Sequence, residues 1–150
     1  MKRIVCTVHE NQFSKREIRK LEAGLKEIYK NNYSEKKLGV IWMIMPSGYA
    51  FSERKLSKAT IILVEVDSDI EQEKRENLMH LFSDFLLKEF SISPLDLVLS
   101  VANSSYLQQY ATSQTRRVHP NHRRRIRFKS KFTAIKSKML NGYSRMNIRV

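Results

Sequence analysis

The sequence predicts an α+β fold in which two tandem strand–helix–strand units form one four-stranded mixed sheet with two helices on one face. Two observations support this prediction. Apolar, β-branched stretches alternate with amphipathic ones along residues 1–105. The second half of that region also repeats the first, because Ile4 to Val8 overlays Ile62 to Val66 at an offset of 58. A basic segment, residues 106–150, follows the repeat as a helical extension.

The first unit begins with an apolar strand over residues 3–8. Ser14 and Glu17, three residues apart, form the sequence signature of a capping box and predict the start of a helix. An apolar stripe on this otherwise charged helix follows at helical spacing: Ile18, Leu21, Leu25, Ile28 and Tyr29. The run 38–45 predicts the second strand, which ends at the turn Pro46-Ser47-Gly48.

The second unit has the same order. A strand is predicted over 59–66, and Ser68 or Asp69 is the expected cap of a helix over about 71–90. The apolar face of that helix is predicted to comprise Leu78, Leu81, Phe82, Phe85 and Leu86. Pro94 precedes a fourth strand over 95–102. Since a helical crossover joins the two strands of each unit, each pair is expected to run parallel.

Two helices on one face of a sheet leave the other face uncovered, and the strand residues expected there are largely apolar. Oligomerisation is the simplest way to bury such a face.

Length and composition narrow the class of protein. At 150 residues, with 41% hydrophobic and 29% charged residues, the chain fits one domain, residues 1–105, with the extension packed on it or on a neighbouring subunit. The sequence contains no apolar run long enough to span a membrane and no signal-peptide pattern, so a cytoplasmic location is expected. A single cysteine, Cys6, excludes an internal disulfide and a cysteine-based zinc cage. No cofactor is expected.

The net charge of +13 is concentrated in the extension. Residues 106–150 carry 12 of the 28 Lys and Arg residues and no carboxylate, whereas residues 1–105 balance 16 basic against 15 acidic residues. This asymmetry indicates an anionic partner or an acidic neighbouring surface.

Particular residues give the repeat a family likeness. The stretch Trp42-Met-Ile-Met-Pro46-Ser-Gly48-Tyr-Ala-Phe51, followed by Ser57-Lys-Ala59-Thr-Ile61, resembles the central segment of bacterial members of the tautomerase superfamily, which includes oxalocrotonate tautomerases and macrophage migration inhibitory factor. The opening Cys6-Thr7 fits their first strand. The resemblance covers about residues 1–105 and implies homotrimers with sites between subunits. It also implies keto–enol isomerisation of a small anionic oxo-carboxylate.

The chain departs from that family at the residue on which its chemistry depends. Family members carry a proline after Met1, and its secondary amine is the general base or nucleophile, whereas this chain has Lys2. Lys2 is therefore the candidate catalytic base, provided that its amine is activated. The arginine that often precedes the first helix is unmatched, since Phe13 occupies that position. The alternative hypothesis is a pseudoenzyme, a protein with the same fold that has lost the catalytic activity.

Proton transfer between carbon and oxygen also needs a cationic group to stabilise the enolate. Arg3 or an arginine of the extension is the candidate clamp. The candidate substrate-binding residues are Arg3, Trp42, Phe51, Asn103, Tyr106, Arg116 and Arg117. For Trp42 and Phe51, packing in the core or in a trimer is the simpler interpretation.

The extension leaves alternatives open. Its arginine run, residues 116–127, has the charge that nucleic-acid binding requires, which makes a non-catalytic nucleic-acid-binding protein the alternative function. Phe128, Phe132, Ile135 and Met139 recur at helical spacing ahead of Gly142, a helix stop. This stripe suits docking on the sheet or on a neighbouring subunit, which we favour, or an anionic membrane surface. A metal site at His119 and His122 is disfavoured by the surrounding arginines.

Overall fold

Two strand–helix–strand units and a C-terminal extension make up the fold. A computed structural model of the chain describes residues 2–33, 38–52, 55–105, 109 and 120–147, without the side chains of 52, 120–127 and 147. The described elements are β1 (Lys2–His9), α1 (Lys15–Asn32), β2 (Leu38–Met45), β3 (Phe51–Ser52), β4 (Lys55–Leu56), β5 (Thr60–Val66), α2 (Gln72–Phe90), a 3₁₀ turn (Pro94–Asp96), β6 (Leu97–Asn103), α3 (Pro120–Asn141) and β7 (Arg145–Asn147).

The central sheet is mixed and has the strand order β6–β5–β1–β2–β7. The two strands of each unit run parallel, with β1 beside β2 and β5 beside β6, and the units join through the antiparallel pair β1–β5. The predicted α+β fold class and duplicated architecture are therefore confirmed. The extension adds a fifth strand, as the alternation of apolar and polar residues from Met146 onward indicates for an edge strand. This strand, β7, pairs in parallel with the otherwise open edge of β2.

The repeat is visible in the core. Ile4, Cys6 and Val8 of β1 are fully buried beneath the helices, and so are their counterparts of β5 at an offset of 58: Ile62, Val64 and Val66. The helices cover them with side chains at helical spacing: Ile18, Leu21, Leu25, Tyr29, Leu78, Phe82 and Leu86. Leu81 is exposed, contrary to the predicted apolar face of α2, because Leu78, Phe82 and Leu86 define the buried line of that helix at intervals of four.

The two helices begin differently. The Ser14 hydroxyl accepts from the Glu17 N–H at 3.2 Å, and the Glu17 carboxylate accepts from the Ser14 N–H at 2.7 Å, so the predicted capping box is present. The predicted cap of α2 is wrong, since the helix starts after Glu71 with no side-chain cap. Arg75 instead reaches back and donates to the carbonyls of the preceding loop: Asp67, Ser68 and Ile70.

The end of the extension is anchored to the sheet. Gly142 has φ +82° and donates to the Lys138 carbonyl at 2.9 Å, which ends α3 where the sequence predicts. Tyr143 is buried, and its ring packs edge-on against Trp42 with centroids 6.3 Å apart. The short helix expected around Tyr106 and Tyr110 lies outside the described residues.

The face of the sheet opposite the helices is not covered by any of the described elements. Its residues are mostly apolar and partly or well exposed: Val5, Thr7, Ile41, Met43, Ile61, Leu63, Val98 and Ala102. Of these, Ile61 and Val98 are 38% and 51% exposed. Among the described helices, none is long and apolar enough to cross a membrane.

Candidate active site

Polar side chains collect at one edge of the sheet, where β1 begins and β5 and β6 end. Lys2 is the first described residue of β1, Asp67 directly follows β5, and Ser104 directly follows β6. Because β1 runs antiparallel to β5, the start of the one strand meets the end of the other. Residues more than 60 positions apart in sequence thereby become neighbours.

Lys2 is held by two oxygen acceptors. Its Nζ forms an ion pair with the Asp67 carboxylate and donates to Ser104 Oγ at 3.0 Å. The Ser104 hydroxyl donates in turn to the Val66 carbonyl at 3.1 Å, which fixes its orientation. The Lys2 side chain is only 12% exposed, whereas that of Asp67 is 59% exposed. A nearly buried ammonium thus lies beneath a carboxylate that solvent and small molecules can reach.

Arg3 is engaged with a different carboxylate. Its Nε and Nη2 donate to the two oxygens of Glu65 at 3.0 and 2.6 Å, and the Glu65 side chain is only 5% exposed. A bidentate guanidinium–carboxylate pair of this kind is among the stronger charge-assisted contacts in proteins. The backbone carbonyl of Glu65 also accepts from the Tyr29 hydroxyl at 3.0 Å, which ties this part of β5 to α1.

Lys2 and Arg3 lie on opposite faces of the sheet. Successive strand residues alternate between faces, and Lys2 shares the helix-covered side with buried Ile4 and Cys6. Arg3 therefore lies on the uncovered face, with Glu65. The structure brings both residues to one edge, but their charged groups serve separate pairs, and only the Lys2 cluster has an exposed partner group.

Asn103 lies beside the same cluster. It pairs with Val66 in the β5–β6 ladder and immediately precedes Ser104. Its side-chain oxygen Oδ1 is buried and has no hydrogen-bond partner among the described residues. A buried acceptor without a partner is costly, which makes this atom suited to a donor from a bound molecule or water.

The remaining predicted site residues lie elsewhere. Trp42 is fully buried in the core, and its Nε1 donates to the Glu22 carboxylate at 3.1 Å. Phe51 is exposed on the β3–β4 hairpin, opposite Leu56. Neither contacts the Lys2 cluster. Tyr106, Arg116 and Arg117 lie outside the described residues.

The described part of the chain gives little support to catalysis by a thiol nucleophile or to a metal site. Cys6 is fully buried in β1, and burial raises the pKa of its thiol far above the usual range, so it is not a nucleophile. The described residues contain no group of three or more His, Cys, Asp or Glu side chains placed to hold a metal ion.

Three residues that bind Lys2 or Arg3 were not predicted from the sequence: Asp67, Ser104 and Glu65. A usable signal was present for the first two, since each is a polar residue that directly follows an apolar strand, and the two strands are parallel neighbours. The carboxyl ends of parallel neighbours meet at one edge of a sheet. Glu65 gave a weaker signal, as a single charge inside an otherwise apolar strand.

Comparisons with known proteins identify the fold. No family model and no curated protein matches the chain. Solved structures do match: native Ps01740 has a TM-score of 0.64 at 16% identity, covering 69% of this chain and 96% of that one. Pt0534 inactivated by 2-oxo-3-pentynoate has a TM-score of 0.61 at 12% identity, with 67% and 84% covered. A fused 4-OT forming an asymmetric trimer has a TM-score of 0.61 at 8% identity, with 67% and 85% covered.

Proposed function

The chain has the fold of the tautomerase superfamily, to which these solved structures belong, and from that premise we propose that it catalyses keto–enol isomerisation of a small anionic oxo-carboxylate. The observation that carries the proposal is the Lys2–Asp67 ion pair, which lies where β1 begins. By resemblance, this is where the family carries its catalytic proline. A charged pair with one exposed member supplies both groups that proton transfer at carbon requires.

The contacts of Lys2 favour the role of donor over that of base. An ammonium group that already donates to Asp67 and Ser104 has no free lone pair to accept a substrate proton. In the proposed reaction the Asp67 carboxylate removes the proton from the carbon next to the keto group. The C–H electron pair moves into the new C=C bond, and the carbonyl electrons move onto oxygen. The Lys2 ammonium stabilises that enolate oxygen, which then takes the proton from Asp67.

Neighbouring groups define the rest of the proposed site. Ser104 orients Lys2, because its hydroxyl is fixed by the Val66 carbonyl. Asn103 offers its buried Oδ1 as acceptor to the enol hydroxyl. Arg116 and Arg117 are the proposed ligands of the substrate carboxylate, since a guanidinium binds a carboxylate through two parallel hydrogen bonds.

We further propose that the protein is a cytoplasmic homotrimer. The uncovered face of the sheet is apolar enough to form a subunit interface, and fused 4-OT structures with this fold are trimers. The exposed hairpin residues Phe51 and Leu56 are the proposed contacts with a neighbouring subunit. Light scattering coupled to size-exclusion chromatography measures the molecular mass of the protein and so tests the trimer.

Turnover of enol-carboxylates tests the reaction. The rate of ketonisation of an enolpyruvate-type substrate is followed by ultraviolet absorbance for the full-length protein and for the variants Asp67→Asn and Lys2→Met. General acid–base groups typically contribute 10²–10⁴-fold, so each variant is expected to lose at least about 100-fold in rate.

Matched controls are available on the helix surfaces. Asp84 pairs with Lys88 and Lys20 with Glu89 far from the cluster, so Asp84→Asn and Lys20→Met are expected to leave the rate unchanged. If the folded wild-type protein shows no turnover above the spontaneous rate, the enzymatic function is rejected and the pseudoenzyme hypothesis is favoured. Equal losses in the test and control variants reject the assigned roles.

A further inference from the structure

The outer face of α3 is an apolar surface on which none of the described residues packs. Four of its side chains, spaced by four, three and four residues, are between 56% and 83% exposed: Phe128, Phe132, Ile135 and Met139. On a helix with 3.6 residues per turn they fall within about 60° of one another. These four residues are called the outward stripe below.

The orientation of α3 follows from its opposite face. Ala134, Ser137 and Asn141 are its partly buried residues, and they lie roughly opposite the outward stripe. Ser137 joins the helix to the following strand, because its hydroxyl donates to the Tyr143 carbonyl at 3.0 Å and accepts from the Arg145 N–H at 2.8 Å. The helix therefore turns its small side chains toward its own chain and its large apolar ones away from it. The outward stripe is exposed and not docked on the sheet of its own chain, which was one of the arrangements expected from the sequence.

Lysines flank the outward stripe on both sides. Helical geometry places Lys131 and Lys138 along one border and Lys129 and Lys136 along the other, and all four are exposed. The sequence of α3 contains eight Lys and Arg residues and no carboxylate. An apolar stripe between two rows of lysines is the arrangement of helices that lie in the plane of a membrane surface, where long cationic side chains reach the headgroups.

We propose that the outward stripe of α3 binds an anionic lipid surface, with the helix parallel to the membrane plane. Charge and apolar surface together select this occupant. A second copy docking stripe to stripe would bring eight lysines together with no carboxylate between them. A nucleic-acid duplex would neutralise the lysines but give the outward stripe little apolar surface to pack on. The outward stripe inserts among the acyl chains, and the flanking lysines pair with lipid phosphates.

Vesicle binding tests the proposal with the full-length protein. Co-sedimentation is compared for vesicles of phosphatidylcholine alone and for vesicles containing about one third phosphatidylglycerol. Binding to the anionic vesicles and little to the neutral ones is expected. The double variant Phe132→Ser/Ile135→Ser is expected to lose at least about tenfold in affinity, since it removes half of the outward stripe. Lys131→Gln/Lys136→Gln is expected to lose about fivefold for each charge removed.

The controls change equally exposed residues away from α3. Tyr49 and Leu95 are 56% and 77% exposed and lie outside the proposed subunit contacts, so Tyr49→Ser/Leu95→Ser removes a similar amount of surface hydrophobicity and is expected to bind vesicles like the wild type. Circular dichroism establishes that every variant is folded. Equal binding by the outward-stripe variant and the wild type overturns the proposal, because charge alone then explains the affinity.

A neighbouring subunit or a nucleic acid bound at the outward stripe would each give a different experimental result. If the wild type ignores anionic vesicles, and Phe132→Ser/Ile135→Ser changes the molecular mass in light scattering, a neighbouring subunit covers the outward stripe and the lipid proposal is overturned. If the wild type ignores vesicles but binds a single-stranded RNA oligomer in a salt-dependent way, nucleic acid is the partner and the proposal is again overturned. None of these outcomes depends on turnover, so the proposed enzymatic function is tested separately.

Discussion

The guanidinium of Arg3 holds the carboxylate of Glu65 through two hydrogen bonds, 3.0 and 2.6 Å long, between neighbouring strands of the sheet. The carboxylate is almost completely buried, whereas the guanidinium is partly exposed. Charged groups in such a position need their partner, because removing one member leaves the other desolvated and unpaired. The pair therefore fixes the register of β1 against β5 beside the candidate site.

Arg3→Met is expected to lower the free energy of unfolding by about 2 kcal/mol, less than for a fully buried pair because Arg3 is partly in solvent. Urea denaturation measures this change in the free energy of unfolding. Arg16→Met, which changes an exposed arginine of α1, is the control. The double variant Arg3→Met/Glu65→Met should regain most of the loss, since no buried charge is left unpaired. A double variant less stable than Arg3→Met contradicts this explanation.

The close approach of the two helices depends on Gly24. A Cβ built there would lie 2.1 Å from Cζ of Phe85, so the ring must move to make room. Alanine favours a helix over glycine by about 1 kcal/mol, but overpacking costs about 1–3 kcal/mol. We expect Gly24→Ala to destabilise the protein by about 1 kcal/mol in thermal unfolding.

The same substitution made in a Phe85→Leu background removes the obstacle. There the helix propensity of alanine is the main remaining effect, and Gly24→Ala is expected to become neutral or stabilising. The same destabilisation in both backgrounds would show that the ring of Phe85 is not the cause.

The extension depends on Tyr143 for its attachment. This side chain is 2% exposed and packs on the fully buried Trp42. Truncating a buried aromatic side chain costs about 3–5 kcal/mol, so Tyr143→Ala is expected to lower stability by about 3 kcal/mol and to raise hydrogen exchange in β7. Tyr49, which is exposed, provides the control Tyr49→Ala. Unchanged exchange in β7 would mean that the ladder with β2 alone holds the strand.

The sequence predicted the elements far better than the site. Apolar runs and helical stripes identified both units, because each buries one face on the same core, and the capping box placed the start of α1 correctly. The partners of Lys2 were not predicted, since Asp67 and Ser104 become its neighbours only when β1 and β5 pair antiparallel. The polar residues after β5 suggested a helix cap, whereas Asp67 in fact binds Lys2. The pairing of β7 with β2 joins residues about 100 positions apart, which local pattern does not encode.

The capping box makes the stability of α1 depend on pH. Two hydrogen bonds with Ser14 lower the pKa of Glu17 below its usual value of 4.5. A carboxyl whose folded-state pKa is lowered stabilises the fold above its unfolded pKa, and that contribution is lost as pH falls through the folded value. Wild-type stability, measured by urea denaturation from pH 7 to pH 3, should therefore fall more steeply at acid pH than that of Glu17→Gln. Glu27→Gln, which changes another exposed carboxyl of α1, should behave like the wild type.

The Lys2–Asp67 pair also predicts a chemical reactivity. Pt0534, which has this fold, was solved inactivated by 2-oxo-3-pentynoate, an alkynyl oxo acid that reacts with amines. In this chain Lys2 Nζ is held by the Asp67 carboxylate and by Ser104 Oγ, and these contacts keep it from attacking such a reagent. Asp67→Asn removes the charge and leaves the amine beside Ser104. We expect 2-oxo-3-pentynoate to modify Lys2 of this variant several times faster than Lys2 of the wild type, as measured by mass spectrometry of the peptides. Ser104→Ala keeps the carboxylate and should be modified at the wild-type rate. Equal rates in the wild type and Asp67→Asn would contradict this prediction, because they would mean that Asp67 does not restrain Lys2.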